Sequence, residues 1–380
     1  MTTTITNEHK KLNVPNLRFK EFQGEWEKSK LSDLCTFFSG GTPSSSNKDF
    51  YGGDIAFIRS GELHADSTEL FITQDGYDNS SAKMVEIGDL LLAMYGATSG
   101  DIAISKIKGA INQAILCIRT NQNKKFIESV WNKHVSKILR KYLQGGQGNL
   151  SADIVKGISF SFPTLEEQER IANLISLLDE RIATQNKIIE DLKKLKSAIS
   201  KKLLCNDKWT TYKIQDIAEI GRGRVISSVE IDKQKHPLYP VYSSQTSNDG
   251  IMGYLDNYMF DGEYITWTTD GANAGTVFYR KGKFNCTNVC GTLKIQPKFD
   301  CYFVSLVLQQ ATQKYVSSNL ANPKLMNNTM ASIKIRMPNI ETQKQLSKVF
   351  QTLDSCLLVH QRTCKMYLSE KQYLLCQMFI

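Results

Sequence analysis

The residues FPTLEEQ at positions 162–168 and MPNIETQ at positions 337–343 decide the fold of this chain. The two stretches are offset by 175 residues, and each opens a long segment with the same spacing of apolar residues. In the first copy Thr164 is a candidate N-cap and Glu167 completes a capping box. Asn339 is the candidate N-cap of the second copy. The sequence therefore predicts two related long helices, which end near positions 204 and 379.

The apolar spacing in both copies follows a heptad pattern. It runs through Ile171, Ile175, Leu178, Ile182, Ile189, Leu192, Ile199 and Leu203 in the first copy, and through Leu346, Phe350, Leu353, Leu357, Cys364, Tyr367, Leu374 and Met378 in the second. Polar residues interrupt it at the same two places, Gln185 with His360 and Lys196 with Lys371. These shared interruptions indicate a duplication and a fixed register.

A helix of about 38 residues is roughly 57 Å long at 1.5 Å per residue. An apolar helix face of that length is longer than one globular block can cover, so we expect the two helices to pair with each other. The alternative is that each stripe packs only on its own block. Heptad spacing fits parallel and antiparallel pairing alike. The predicted pairing residues are Ile175, Leu178, Ile182, Ile189, Leu192, Phe350, Leu353, Leu357, Cys364 and Tyr367.

Two related globular blocks precede the helices, at about 26–162 and 209–337. The first begins WEKSKLSDL and the second WTTYKIQDI, which share their tryptophan, lysine and aspartate positions. Further on, GATSG at 96–100 corresponds to GANAG at 271–275. Short strand-like segments and Gly- and Ser-rich loops alternate with helices, which we predict at 126–143 and 303–316. The whole chain is therefore predicted to be a duplicated unit of mixed α/β block plus long helix.

Composition limits the class of protein. A chain of 380 residues and 42.9 kDa is expected to hold two or more domains. Its net charge of +9 suits a polyanion partner. Between Lys187 and Lys213, eight lysines face three acidic residues, a net charge of +5. This segment predicts a phosphate-facing edge under the middle of a DNA target, and an ordinary solvated helix face is the alternative.

Several other classes are disfavoured. Nine cysteines without a Cys-x-x-Cys pair point to a reduced cytosol, and no apolar run is long enough to span a bilayer. Positions 1–11 lack the apolar stretch of a signal peptide. Cys286 and Cys290 have no neighbouring pair that would complete a zinc set. No P-loop, amino-methyltransferase motif or nucleophile–base pattern is present, so we predict no catalytic and no metal residues.

Taken together, these motifs resemble the specificity (S) subunits of type I restriction–modification systems. The resemblance rests on VPNLRF at 14–19, SGGTPS at 39–44, YGGDIAFIRSGEL at 51–63, and the Pro, Glu, Gln, Ile and Ala of the first helix opening. It covers nearly the whole chain. The second helix copy, at 338–354, keeps Pro, Glu, Gln, Leu and Asp but departs from the pattern at Ser347.

The resemblance implies a fold and a role. It implies two mixed α/β target recognition domains in a pseudo-two-fold arrangement, separated by two long antiparallel coiled-coil helices that act as a ruler. Each domain would read one half of a bipartite DNA site. Two modification (M) subunits would carry S-adenosylmethionine and methylate adenine, and restriction (R) subunits would use ATP and Mg. The chain itself would be non-catalytic, without a cofactor, and cytoplasmic.

The resemblance assigns 1–162 to an N-terminal segment and first recognition domain, 163–205 to the central helix, 206–337 to the second recognition domain and 338–380 to the C-terminal helix.

Polar loops differ between the blocks, as two readers of different bases require. The predicted DNA-binding residues are Thr42, Ser44, Ser46, Lys48, Arg59, Ser60, Tyr95, Thr98, Gln144, Gln147, Asn149, Arg222, Arg224, Ser243, Ser244, Gln245, Trp267, Asn273, Asn322 and Lys324. The alternatives are ordinary surface loops on a coiled-coil protein scaffold, or a self-contained DNA enzyme.

Overall fold

A computed structural model of the chain describes residues 12–143, 149–204, 206–317 and 322–380. It divides into two compact units. The first holds the described residues up to Asn186 together with Arg362–Ile380, and the second holds Lys187–Gln361. None of the helices within the described ranges is long and apolar enough to cross a membrane.

The two long helices are present, as Leu165–Leu203 and Ile340–Met378, each of 39 residues. Their predicted caps form hydrogen bonds. Thr164 Oγ1 accepts from the Glu167 amide at 3.4 Å, and Asn339 Oδ1 accepts from the Thr342 amide at 2.9 Å. Each helix therefore starts where a side chain satisfies a free backbone N–H of its first turn.

The first unit is a mixed α/β block. Its strands are Glu27–Lys30, Cys35–Ser39, Tyr51–Ile58, Phe71–Ile72, Lys83–Val85, Leu90–Ala93, Ile102–Ile104, Gly109–Ile111, Ile115–Thr120 and Ser159–Phe162. Its helices, besides its parts of the long pair, are Leu31–Leu34, Gln74–Asp78, Lys124–Leu143 and Ala152–Lys156. The predicted helix at 126–143 is thus present, beginning two residues earlier.

The second unit repeats this composition. Its strands are Thr210–Lys213, Ala218–Arg222, Tyr239–Tyr242, Ile251–Leu255, Glu263–Thr268, Val277–Lys281, Asn285–Cys286, Cys290–Ile295 and Lys334–Met337. Its shorter helices are Ile214–Ile217, Ser228–Asp232, Cys301–Ala311 and Asn327–Ser332. The helix predicted at 303–316 is shorter than expected, because a 3₁₀ turn at Thr312–Tyr315 follows it.

Both units build the same four-stranded antiparallel sheet, and each adds a second sheet, of four strands in the first unit and three in the second. In the first, an antiparallel sheet has the order Cys35–Ser39, Ile115–Thr120, Leu90–Ala93, Ile102–Ile104, and in the second the order Ala218–Arg222, Cys290–Ile295, Glu263–Thr268, Val277–Lys281. A second sheet in each unit contains one parallel pair, Phe57 with Ala110 and Val241 with Asn285. The matching registers confirm a mixed α/β fold that has been duplicated.

A buried glutamine at the start of each long helix joins the helix to its block. Gln168 Oε1 accepts from the Asn123 amide at 3.1 Å, and its Nε2 donates to Pro163 O at 3.0 Å. Gln343 repeats both bonds, to the Asp300 amide and to Pro338 O, at 3.0 and 2.8 Å. The glutamine of the repeated motif is therefore a connector, which explains why both copies contain it.

The helices pair in opposite directions within the first unit. Lys371 contacts Asp179, and the Cys364 thiol donates to Asn186 Oδ1 at 3.3 Å. Positions rise along one helix as they fall along the other, which is antiparallel pairing. Leu375 and Met378 also enter the core that contains Ile171 and Ile175.

Antiparallel pairing holds within the second unit as well. Lys196 forms an ion pair with Asp354, while Ile199 lies in the same core as Leu346 and Phe350. The later residues of the first helix therefore meet the earlier residues of the second. Each unit confirms the antiparallel direction that the family resemblance implied.

Candidate nucleic-acid interface

The loop that carries Thr42 in the first block is exposed but internally bonded. Thr42, Ser44, Ser46 and Lys48 are all exposed. Thr42 Oγ1 donates to Gln113 Oε1 at 2.7 Å, and the hydroxyls of Ser44 and Ser46 lie 2.8 Å apart. The loop therefore presents hydroxyls from a defined conformation.

A short turn after the strand Tyr51–Ile58 presents Arg59 and Ser60. The Arg59 guanidinium is half exposed and pairs with Glu62 at 2.6 Å. That hydrogen bond lowers the pKa of the Glu62 carboxyl, which also accepts from Thr68 at 3.1 Å. Glu62 thus fixes the plane of the guanidinium while part of it faces solvent.

The turn at Gly96–Thr98 presents Tyr95 and Thr98. Tyr95 is exposed and Thr98 is half-buried. Leu150 donates its amide to Met94 O at 2.9 Å, which places the exposed Asn149 beside this turn. Gln144 and Gln147, which the sequence also predicts to contact DNA, lie outside the described residues.

The segment Asn112–Ala114 brings these loops together. Gly40 donates its amide to Asn112 O at 3.3 Å, and Met94 donates to Ala114 O at 2.8 Å. The exposed Gln113 lies between them and bonds to Thr42. The sequence interpretation did not select Gln113, although an amide side chain is well suited to adenine.

The second block repeats this junction 175 residues later. Arg224 donates its amide to Cys286 O at 3.3 Å, and Thr269 donates to Val289 O at 2.9 Å. Asn288, which is exposed, takes the place of Gln113. The 175-residue offset relates Gln113 to Asn288, but it does not by itself select either residue.

Arg222 and Lys324 meet at one carboxylate. Arg222 donates to Asp270 Oδ2 at 3.2 Å and to Thr269 Oγ1 at 3.1 Å, and Lys324 Nζ lies 3.8 Å from Asp270 Oδ1. Two cations around one carboxylate leave an excess positive charge. Both side chains are partly exposed, as a phosphate or guanine contact requires.

Arg224 is engaged differently. Its guanidinium forms a two-pronged pair with Glu230, and this hydrogen bonding lowers the pKa of the Glu230 carboxyl. A contact between Arg224 and DNA therefore has to use the donors that Glu230 leaves free.

Asn322, another predicted contact, is exposed near Lys324.

Ser243, Ser244 and Gln245 are half-buried after the strand Tyr239–Tyr242. Asn273 donates its side-chain amide to Ser244 O at 3.1 Å, which joins two predicted loops. Gln245 Nε2 donates to Ile251 O at 2.5 Å.

Trp267 requires a correction. Its side chain is 0% exposed, and its indole N–H donates to Leu325 O at 2.9 Å. The strand Glu263–Thr268 extends through this position and is buried from Ile265 onward, whereas the sequence interpretation placed Trp267 in a loop. We therefore assign it to the core and withdraw the expected DNA contact.

The predicted helix-pairing residues all face the interior at least partly. Ile175, Leu178, Phe350 and Cys364 are buried, while Ile182, Ile189, Leu192, Leu353, Leu357 and Tyr367 are half-buried. Arg181 donates to the Tyr367 hydroxyl at 3.2 Å, so this end of the seam also carries a polar contact.

The chain resembles known proteins over most of its length. Residues 23–194 and 206–365 match the family model for the type I restriction modification DNA specificity domain. A Mycoplasma pneumoniae protein named as type I specificity subunit S.MpnORF201P is 38% identical over 195 residues, covering 50% of this chain and 81% of that protein. The type I restriction enzyme MpnII specificity subunit of the same organism is 42% identical over 145 residues, covering 38% and 43%.

Solved structures share the fold. The type I restriction–modification S subunit from M. genitalium superposes with a TM-score of 0.71 at 16% identity, over 97% of this chain and 99% of that chain. A chain from a study of complex assembly and conformational transition in the type I system gives a TM-score of 0.53 at 14% identity, over 92% and 96%.

Proposed function

This chain belongs to the type I restriction modification DNA specificity family, and we propose that each of its two blocks reads one half of a bipartite DNA site. It is a DNA sequence-specificity subunit of a type I restriction–modification complex, in which it supplies recognition. Two copies of the recognition fold in one chain fit a target of two different halves.

The observation that carries the proposal is the repeated junction of loops. In the first block, Gln113 lies between the Thr42 loop and the turn after Met94, and Asn288 takes the same place in the second block. The backbone scaffold is shared, whereas the polar side chains around it differ. Identical scaffolds with different donors and acceptors are what recognition of two different base sequences requires.

The predicted DNA contacts are retained, apart from Trp267. Hydroxyl and amide side chains dominate the first cluster, and Arg222 with Lys324 adds positive charge to the second. We assign base reading to the amides and to Arg222. The lysines between Lys187 and Lys213 are assigned to phosphate contacts, which position the complex without selecting bases.

The paired helices serve as the frame for partner subunits. Exposed apolar side chains on the second helix include Leu358, Val359, Met366, Leu368 and Tyr373. These side chains are exposed in the part of the chain that the structure describes, and exposed apolar patches are typical of surfaces that another subunit covers. We propose that two M subunits bind along these helices and that R subunits join the assembly.

In this proposal the M and R subunits carry out the catalytic reactions. The M subunits would carry S-adenosylmethionine and methylate adenine, and the R subunits would use ATP and Mg. This chain needs no catalytic residue and no cofactor of its own, and it would work in the cytoplasm with DNA. Functionally, 1–162 and 206–337 hold the readers, while 163–205 and 338–380 hold the frame.

A methylome tests the proposal directly. The chain is expressed with the M subunit encoded beside it in a host without adenine methylation, and modified adenines are mapped by single-molecule sequencing. The expected result is a two-part motif with a fixed gap. The M subunit expressed alone is the control. If the purified complex forms but neither methylates nor binds DNA with sequence preference, the chain is a scaffold without base readout and the proposal fails.

A further inference from the structure

Arg280 is a buried cation in the second block. Its side chain is 4% exposed, and its guanidinium carbon lies 3.6 Å from the centre of the Tyr242 ring and 4.4 Å from that of Phe278. A buried charge is tolerated where its donors are satisfied and aromatic faces cover it.

The two terminal nitrogens of Arg280 are directed at one loop. Nη1 donates to Asp249 Oδ2 at 2.7 Å and Nη2 to Asp249 O at 2.8 Å, while Nε donates to Thr266 Oγ1 at 3.3 Å. The loop Ser243–Gly250 is thereby held at its far end, through both the side chain and the backbone of one residue.

The backbone at that point is strained. Asn248 and Asp249, with φ of 49° and 54°, are the only non-glycine residues of positive φ in the described part of the chain. Such conformations persist where surrounding contacts hold them, and they cluster at functional sites. Arg280 supplies those contacts, and the same loop carries Ser243, Ser244 and Gln245.

Among the described residues of the first block, no such clamp holds the equivalent loop. Its loop at the same place starts at Arg59, because Ile58 pairs with Ile111 as Tyr242 pairs with Cys286. The position equivalent to Arg280 is Ser105, whose hydroxyl donates to Ile107 O at 2.8 Å within its own segment. The clamp is therefore specific to the second block.

We propose that Arg280 is a positioning residue that holds the loop Ser243–Gly250 in the conformation that reads the second half-site. This inference rests on the proposed function. It adds the residue that holds one DNA-reading loop in place. Arg280 itself does not touch DNA. A loop that is ordered before binding loses less entropy on binding, so wrong bases are rejected rather than accommodated.

Substitutions of Asp249 test the clamp without disturbing the buried cation's stacking. Asp249→Gly removes the carboxylate but accepts the positive φ, whereas Asp249→Asn keeps an acceptor and also tolerates that φ. Arg280→Lys is the second variant, since lysine keeps the charge but not the planar fork. Arg336→Ala removes an exposed arginine of the same unit and serves as the control.

The measurement is binding of the full complex with M subunits to DNA in which each half-site is randomised separately. For Asp249→Gly and Arg280→Lys we expect discrimination in the second half-site to fall about tenfold, with the first half-site unchanged. Amide hydrogen exchange over 243–250 should accelerate. Asp249→Asn and Arg336→Ala should retain the wild-type preference.

Two other results overturn the inference. Unchanged preference in the second half-site, with faster exchange in the loop, shows that the clamp does not serve recognition. An equal loss in both halves shows a general structural role. A wild-type complex without any two-part preference instead refutes the proposed function itself.

Discussion

Lys371 Nζ lies 2.5 Å from Asp179 Oδ1, and the same pair recurs 175 residues away with the helices exchanged, as Lys196 with Asp354. The two lysines form one of the two shared interruptions of the heptad pattern. Each of these lysines is therefore one half of an ion pair whose other half is an aspartate of the opposite helix.

A residue from the globular block completes each pair. Lys125 lies 2.8 Å from Asp179, and the Tyr302 hydroxyl donates to Asp354 at 2.5 Å. A polar group in an apolar seam favours the one register in which it is satisfied. These pairs thus fix the register of the helices and join that register to the blocks.

Removing the lysine is expected to destabilise the chain. Lys371→Met keeps the apolar stem but leaves Asp179, which is half-buried, with one cation instead of two. We expect the free energy of unfolding to fall by about 1–2 kcal/mol. A double-mutant cycle with Asp179→Asn, followed by urea denaturation, measures the coupling.

The exposed pair of Glu190 with Lys194 provides the matched control. It lies on the helix Leu165–Leu203, which also carries Asp179, but outside the seam. Lys194→Met should produce no measurable loss. Equal effects of Lys371→Met and Lys194→Met would contradict a role for the seam pair in register.

The stability of the chain should depend on the ionisation of Asp179. Burial opposes ionisation, but hydrogen bonds from Lys125 and Lys371 outweigh it and hold the pKa of Asp179 below its usual range. The folded pKa is then lower than the unfolded one. The contribution of ionised Asp179 to the free energy of unfolding is present above the unfolded pKa and is lost as pH falls through the folded pKa.

The difference in unfolding free energy between wild type and Asp179→Asn should therefore be largest at neutral pH and shrink below pH ~4. Urea unfolding midpoints from pH 7 to pH 3 give this difference. In a Lys371→Met background the dependence should be shallower. A difference that stays constant with pH would show that the Asp179 charge does not contribute.

Part of this architecture follows from the sequence because it depends on local periodicity. The helix starts, the seam residues and the duplicated block all come from spacing and capping signals. The direction of pairing does not, since heptads fit both directions, and only contacts such as Asn186 with Cys364 determine it. The resemblance to a family supplied that direction before the structure did.

The site was predicted less completely because sheet order is not a local property. Gln113 and Asn288 become central only when the strands bring separate loops together. Trp267 was assigned to a loop with Asn273, yet all of Ile265–Thr268 is buried. Arg280 gave no signal, since one arginine in a strand is ordinary until its partners are known.

Gln113 and Asn288 should each govern one half-site. Gln113→Ala removes an exposed amide from the first junction, and Asn288→Ala removes its counterpart from the second. We expect each to weaken binding to its own half-site by about 1–3 kcal/mol and to relax the preference at one base position. Binding of the M-containing complex to libraries randomised in one half at a time is the measurement.

The two variants control each other, because each removes an amide from an equivalent position. Reciprocal effects are expected, with Gln113→Ala sparing the second half and Asn288→Ala sparing the first. If both variants weaken binding uniformly across all sequences, these side chains contact phosphates rather than bases.

Arg222 and Arg224 should differ in their importance. Arg222 shares Asp270 with Lys324, where positive charge is in excess, whereas Arg224 is neutralised by Glu230. Arg222→Ala should therefore reduce second half-site affinity by about 1–3 kcal/mol, and Arg224→Ala by clearly less. Titrations at several salt concentrations separate a base contact from a phosphate contact. An unchanged second half-site preference in both variants would show that this loop does not read DNA.

Thiol reactivity tests which face of the second long helix packs inward. Cys364 is buried on the seam, while Cys356 and Cys376 on the same helix are exposed. We expect the two exposed thiols to be alkylated rapidly in the folded chain at neutral pH and Cys364 to react slowly. Among the block cysteines, burial raises the pKa of Cys117 to about 12, so it should be unreactive as well.

Mass spectrometry of peptides after timed alkylation gives the rate at each position, and the urea-unfolded chain gives the rates without protection. Cys356→Ser should remove one fast site and leave the rate at Cys364 unchanged. Rapid alkylation of Cys364 would mean that the helix is rotated away from the seam. The Lys371–Asp179 pair, which lies two turns further along the same face, would then be broken too, because seven residues of an α-helix return to nearly the same side.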